Sequence, residues 1–158
     1  MCYEKEIYPL QNNIFEILDS VNSIFYLTGG TALARFYFDH RYSDDLDFFA
    51  NNIKDFSDQT GKALSEFSSK KVLYTISVRS DNFLSIMVKD ILKIDFVNDV
   101  SFYVGKPVKC KLYSKVDNIE NILVNKISAL ISREEPKDMA DIYVICRNKT
   151  IDWKIIFD

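Results

Sequence analysis

Apolar residues at Leu10, Ile14, Ile17, Leu18 and Val21 recur at spacings of three and four, predicting a helix over residues 10–22. The run Ile24-Phe25-Tyr26-Leu27 reads as a short buried strand ended by Gly29-Gly30, and Thr31 to Phe38 as a helix. A second strand is expected at Leu46-Asp47-Phe48-Phe49, then a helix of mixed polarity over 57–70. From 72 to 97 the period changes to two. Residues 72–78, 83–88 and 91–97 predict three consecutive antiparallel strands, with turn signals at Arg79-Ser80-Asp81-Asn82 and Lys89-Asp90. A further short strand is expected over 108–112, then a helix from Asp117 to Ser132. Another helix starts at Pro136, which suits a first helical turn because its missing N–H is not needed there. This order predicts an α+β fold, a mixed sheet with helices packed to one side.

No repeat, low-complexity tract or Gly/Ser/Pro-rich linker interrupts the 158 residues, so one domain over 1–158 is expected. Within it, 24–115 would hold the sheet and 117–158 the C-terminal helices. With 47% hydrophobic residues, four glycines and three prolines, an extended disordered chain is excluded. The longest unbroken apolar run is Ile142 to Cys146, far short of the roughly 20 residues of a membrane-spanning helix. The N-terminal Met1-Cys2-Tyr3-Glu4-Lys5-Glu6 lacks the basic-then-apolar order of a secretory signal. Cys2, Cys110 and Cys146 are odd in number and far apart, which fits a reducing cytoplasm. A soluble cytoplasmic protein without membrane contact is the expectation.

One histidine, His40, removes any multi-His zinc site, and a Ser-His-Asp triad would have to use it. The formal charge of −3 argues against a protein that grips nucleic acid with its whole surface; a local patch would have to serve.

Chemistry collects at a few acids. Asp45 and Asp47 sit two apart, so strand periodicity puts both carboxylates on one face and turns Leu46 and Phe48 to the other. Two like charges this close are stable when a divalent cation lies between them, although a solvated acidic strand end is the commoner explanation of Asp-x-Asp alone. Asp95 interrupts an otherwise apolar strand. On a neighbouring strand it would complete a two-metal cradle for phosphoryl transfer, whereas on an edge it would simply face water. Thr28-Gly29-Gly30-Thr31 places two glycines at a strand-to-helix turn, a phosphate-binding arrangement or an ordinary turn. On the helix after 117, Lys126 and Arg133 fall within the apolar stripe of Ile122, Leu123, Ile127 and Leu130. Two aligned cations there suggest an anionic cleft, where a single Lys would merely snorkel. Asp138 and Asp141 border the packed face of the next helix, with surface capping a sufficient role for Asp138.

Together, Tyr26-Leu27-Thr28-Gly29-Gly30-Thr31-Ala32-Leu33-Ala34, His40-Arg41-Tyr42-Ser43-Asp44-Asp45-Leu46-Asp47-Phe48-Phe49, Lys126 to Arg133 and Pro136 to Tyr143 resemble the AbiEii/AbiGii-type toxin nucleotidyltransferases, which include the MenT toxins. The resemblance covers roughly residues 24 to 147 in the family's order. It implies a polymerase-β-type nucleotidyltransferase fold and transfer of a nucleotide from an NTP, with Mg²⁺ or Mn²⁺. The acceptor it implies is RNA, the 3′ end of tRNA, and the biological role is the toxin of a toxin–antitoxin or phage-defence pair, with a cognate antitoxin as partner. Residue by residue, Gly30 and Thr31 match the triphosphate turn, and Asp45 and Asp47 the metal pair. Lys126 and Asp141 match the later catalytic Lys and Asp, and Arg41 belongs to the motif of the loop. The expected catalytic set is Asp45, Asp47, Asp95, Lys126 and Asp141, with Asp95 a third metal ligand or acceptor base. Nucleotide contacts are expected from Gly29, Gly30, Thr31, Arg41, Lys126 and Arg133. Relatives commonly continue into a longer helical region after the position of Phe157, so this is expected to be a minimal or truncated member. A nucleotidyltransferase acting on a protein or an aminoglycoside, and a non-catalytic nucleotide binder, remain the alternatives. An antitoxin is expected to cover the groove or to modify Thr31 or Ser43.

Overall fold

The computed structural model describes residues 2–99, 102–133 and 135–157. A π-type turn, Tyr3–Ile7, leads into α1 (Tyr8–Ser20), whose first turn holds Pro9 where no N–H is required. Leu10, Ile14, Ile17 and Leu18 of the predicted stripe are buried, together with Phe15, whereas Val21 lies past the helix end and is exposed. Strand β1 (Tyr26–Thr28) runs straight into the short helix α2 (Gly29–Leu33). The expected helix to Phe38 is broken in character: after α2 the chain widens into a π-type turn, Ala34–Phe38, closed by Asp39 in the left-handed conformation.

Strand β2 (Leu46–Asn51) alternates buried and half-buried positions, as a strand with one core face must. Helix α3 (Phe56–Ser69) follows, then the meander β3 (Tyr74–Arg79), β4 (Phe83–Val88) and β5 (Leu92–Asp99). Lys89 and Asp90 both take positive φ within the three-residue turn, 89–91, that joins the paired Val88 and Leu92. The five strands form one mixed sheet in the order β1-β2-β5-β4-β3. Only β2 and β5 are parallel; the other pairs are antiparallel.

One face of this sheet is the core. Phe48 stacks on Phe96, Phe15 of α1 meets Phe48, and Phe56 of α3 meets Phe25. The opposite face carries a row set by register: Thr28 lies opposite Asp47, Asp47 opposite Asp95, and Asp95 opposite Ser85. Four strands therefore present their polar residues at one level.

The strand expected over 108–112 does not form. Val108 makes a single bridge to Val116, and Val116 another to Leu27. Val108 and Leu112 stay largely exposed while Tyr113 and Val116 are buried, so the apolar alternation of that segment has no face to serve. Tyr113 donates its hydroxyl to the Phe25 carbonyl at 2.6 Å and locks the segment irregularly against β1.

Helix α4 (Ile119–Ser132) begins two residues later than the apolar pattern suggests, because Asn118 caps it, accepting from the Asn121 N–H at 2.8 Å. Asp117, buried just before it, takes the hydroxyls of Thr28 and Tyr103 and the amide of Asn121. That knot ties the end of β1 to the start of α4. Helix α5 (Pro136–Asn148) and the short α6 (Trp153–Phe157) complete the chain. Among the described residues no helix is long and apolar enough to cross a membrane.

Candidate active site

The polar row borders a cleft of about 380 Å³ between β1, β2 and α4. Thr28, Gly29, Asp47 and Phe49 form one wall; Ile122, Asn125, Lys126, Ser128, Ala129 and Ser132 of α4, with Arg133 just past its C-terminus, form the other. The α4 positions recur at three and four residues, so a single helix face supplies that wall.

Neither Asp45 nor Asp47 has a side-chain hydrogen bond or ion-pair partner among the described residues. Burial, then the like charges of Asp95 and Asp45, push the Asp47 carboxyl up to about 6. Burial and Asp44 likewise raise Asp45. Asp95 is differently placed, because Ser85 donates to its Oδ1 and Lys93 to its Oδ2, both at 2.6 Å. Among the described residues no three His, Cys, Asp or Glu side chains converge closely enough to hold an ion. The donor chemistry of Asp45 and Asp47 nonetheless suits a hard divalent cation: two adjacent carboxylates without partners, one of them hard to ionise alone.

Gly29 and Gly30 are needed where they stand. Gly29 has φ +71°, and a Cβ there would lie 2.5 Å from Asp47 Oδ2. A Cβ on Gly30 would lie 2.1 Å from Arg41 Nη2. The glycines let the chain pass close to both the acidic pair and the guanidinium behind it. Thr31 is buried, and its hydroxyl is spent on Ser43 and on the Asp45 carbonyl. Its place in the site is to hold the loop before β2; Ser43 is buried as well, so neither hydroxyl is open to modification.

Behind the cleft lies an ionic cluster. Arg41 holds Asp141 bidentately, Nε to Oδ1 and Nη2 to Oδ2, each at 2.8 Å. His40 Nε2 also meets Asp141 Oδ1 at 2.8 Å. Lys126 bridges Asp138 at 2.6 Å and Asp141 at 2.9 Å, and Arg133 Nε reaches Asp138 at 3.0 Å. Burial raises the Asp141 carboxyl, but the bonds from Arg41, Lys126 and His40 outweigh it and hold it well below the usual range.

Of the residues expected at the site, Gly29, Asp47, Lys126 and Arg133 line the cleft itself. Asp45 and Asp95 act on it through their charges on Asp47. Gly30, Thr31, Arg41 and Asp141 stand outside its lining, as supports. Asn125, Ser128 and Ser132 line the cleft without any signal in the sequence, and Asp138 carries only that of a helix-capping acid. Asp138 was visible as an acid three residues before Asp141 on a packed face, but its two cationic partners come from α4 and its C-terminal end.

Solved structures share this fold. JHP933 from Helicobacter pylori superposes with a TM-score of 0.65 at 21% identity, covering 90% of this chain and 65% of its own. The chain thus spans about two thirds of that protein's length. The antibiotic-resistance factor ANT(2'')-Ia gives 0.67 at 12% identity, covering 98% and 89% of the two chains. The Megavirus polyadenylate synthase gives 0.63 at 16%, covering 92% of this chain and 33% of its own. No curated protein sequence matches the chain. The family described as nucleotidyl transferase AbiEii toxin, type IV toxin–antitoxin system, matches residues 16–155. With that match over nearly all of its length, the chain belongs to the AbiEii nucleotidyltransferase toxin family.

Proposed function

We propose that the protein transfers a nucleotidyl group from an NTP to an acceptor hydroxyl, with Mg²⁺ or Mn²⁺ held by Asp45 and Asp47. The observation that carries this reading is the pair of unpartnered carboxylates beside a cleft whose opposite wall holds Lys126 and Arg133. A divalent cation bound there would draw the phosphates to the acidic pair and offset charge developing on them. The chain's own groups do the rest. Gly29 lets the triphosphate approach the backbone closely, while Lys126 on α4 and Arg133 at its C-terminal end meet its oxygens. Asp95 is the proposed third ligand or acceptor base. Its partner Lys93 is 44% exposed on its side chain and has room to leave. Arg41 and Asp141 keep Lys126 and the loop before β2 in place.

The proposed acceptor is RNA at its 3′ end, tRNA foremost, and the proposed role is a toxin restrained by a cognate antitoxin in toxin–antitoxin or phage defence. A small-molecule acceptor is the second reading. It is favoured by the acidic charge of −3 and by the near-complete structural correspondence with an antibiotic-resistance factor. Labelled NTPs, each incubated with Mg²⁺ and either total RNA, lysate protein or an aminoglycoside, separate these acceptors. Label at RNA 3′ ends supports the first reading; label only on the aminoglycoside or on protein replaces it.

A further inference from the structure

An ammonium group has three hydrogens to donate, and two of those on Lys126 are committed. One goes to Asp138 Oδ1 at 2.6 Å and the other to Asp141 Oδ2 at 2.9 Å. The third has no acceptor among the described residues, and the surface that Lys126 borders is the cleft. Arg133 is arranged in the same way. Its Nε is pinned to Asp138 Oδ2 at 3.0 Å, while its Nη groups have no acceptor among the described residues and stand at the cleft wall on a half-exposed side chain. One carboxylate, fully buried, thus gives one oxygen to each cation. Lys126 lies on α4 and Arg133 just past its end, in extended backbone at the C-cap, so the expected alignment of the two along one helical stripe does not hold; Asp138 reaches both from α5.

Lys126 and Arg133 are the only cations lining the cleft among the described residues, and Asp47 and Asp99 line it too. A polyanion entering must therefore meet the two cations in a defined place and avoid the acids. The buried Asp138 carboxylate needs a cationic partner, but Lys126 at 2.6 Å already supplies one, so stability alone does not ask for the second, half-exposed Arg133.

We infer that Asp138 is a positioning residue that sets Lys126 and Arg133 as a two-point clamp for the polyphosphate tail of a nucleotide. The inference rests on the proposed nucleotide binding and extends it to the residue that aims the cations. Asp138→Asn separates positioning from charge. Removing a negative charge beside an anion site would tighten anion binding if charge alone mattered. The amide must instead turn its NH₂ toward one of the two cations, so a positioning role predicts weaker binding.

The probe is inorganic tripolyphosphate, titrated calorimetrically at fixed Mg²⁺ with no acceptor present. Asp138→Asn is expected to bind it about tenfold more weakly than wild type, and the exposed Arg133→Ala about fivefold. The double variant should lose little beyond the larger single loss, because both changes break one unit. Should Asp138→Asn fold poorly, Asp138→Glu carries the test: it keeps the charge but displaces the carboxylate, and is expected to weaken tripolyphosphate binding severalfold, whereas wild-type affinity in Asp138→Glu would overturn the clamp. Equal or tighter binding by folded Asp138→Asn, or losses that simply add, would overturn the clamp. A wild type that binds tripolyphosphate with these variant effects but transfers no nucleotide would sink the transferase reading and leave the clamp standing. A wild type that binds no tripolyphosphate overturns the clamp.

Discussion

Asp47 shows how a site residue works against the fold that carries it. Its carboxyl is pushed up to about 6 by burial and by Asp95 and Asp45, above the value near 4 of an unfolded chain. The folded state then holds its proton more tightly than the unfolded state, so stability falls as pH rises from about 4 through about 6. Asp141 runs the other way. Held low by Arg41, Lys126 and His40, it contributes stability above the ordinary carboxylate range that is lost as pH falls below it. Asp47→Asn should therefore raise the Tm of the metal-free protein at pH 7, by an amount worth roughly 2 kcal/mol, and leave it nearly unchanged at pH 4. Thermal melts at the two pH values check this; a lower Tm at pH 7 would contradict the burial account. Lys126 behaves oppositely. A snorkelling lysine could be truncated at little cost, but this one is 7% exposed and bridges two fully buried aspartates. Lys126→Ala should cost about 3–5 kcal/mol, read by urea unfolding, because it strands buried charge. A loss below about 1 kcal/mol would mean the bridge is not formed in solution.

At the scale of elements, what the sequence showed and what it hid divide by range. The β4–β5 hairpin, the alternation of β2 and the start of α5 at Pro136 are local properties of residue order, and all three are where the pattern places them. The 108–112 segment has a convincing alternation, but β1 is three residues long and gives it too little edge to pair with. Asp138 was likewise hidden, because its role depends on α4 lying against α5 rather than on its own neighbours. The Gly29-Gly30 turn was legible as a close approach, though not for its full reason. Gly30 makes room for Arg41 as well as for any phosphate. Gly30→Ala should push Arg41 off Asp141, lowering the Tm by several degrees and reducing transfer at least tenfold. A Gly30→Ala variant with unchanged stability and activity would show that Arg41 does not pack there.

The whole molecule places an open cleft at one end of a mixed sheet, with acids on one wall and cations on the other. Its net charge is −3, so any RNA it meets must be held near that cleft and not by a general basic surface. Family membership adds a cellular expectation. Expression in a bacterium should slow growth, and Asp45→Ala should relieve the slowing, with growth curves and equal protein levels as the check. Slowing that persists unchanged in Asp45→Ala would detach toxicity from the acidic pair. The proposed metal-dependent nucleotidyl-transfer centre is the pair Asp45 and Asp47. The most direct measurement is single-turnover transfer from a labelled NTP to total RNA and lysate, comparing wild type with Asp47→Asn, with and without EDTA. Transfer by wild type alone, abolished by EDTA and absent from a well-folded Asp47→Asn, is the predicted result; transfer by Asp47→Asn at the wild-type rate would contradict it.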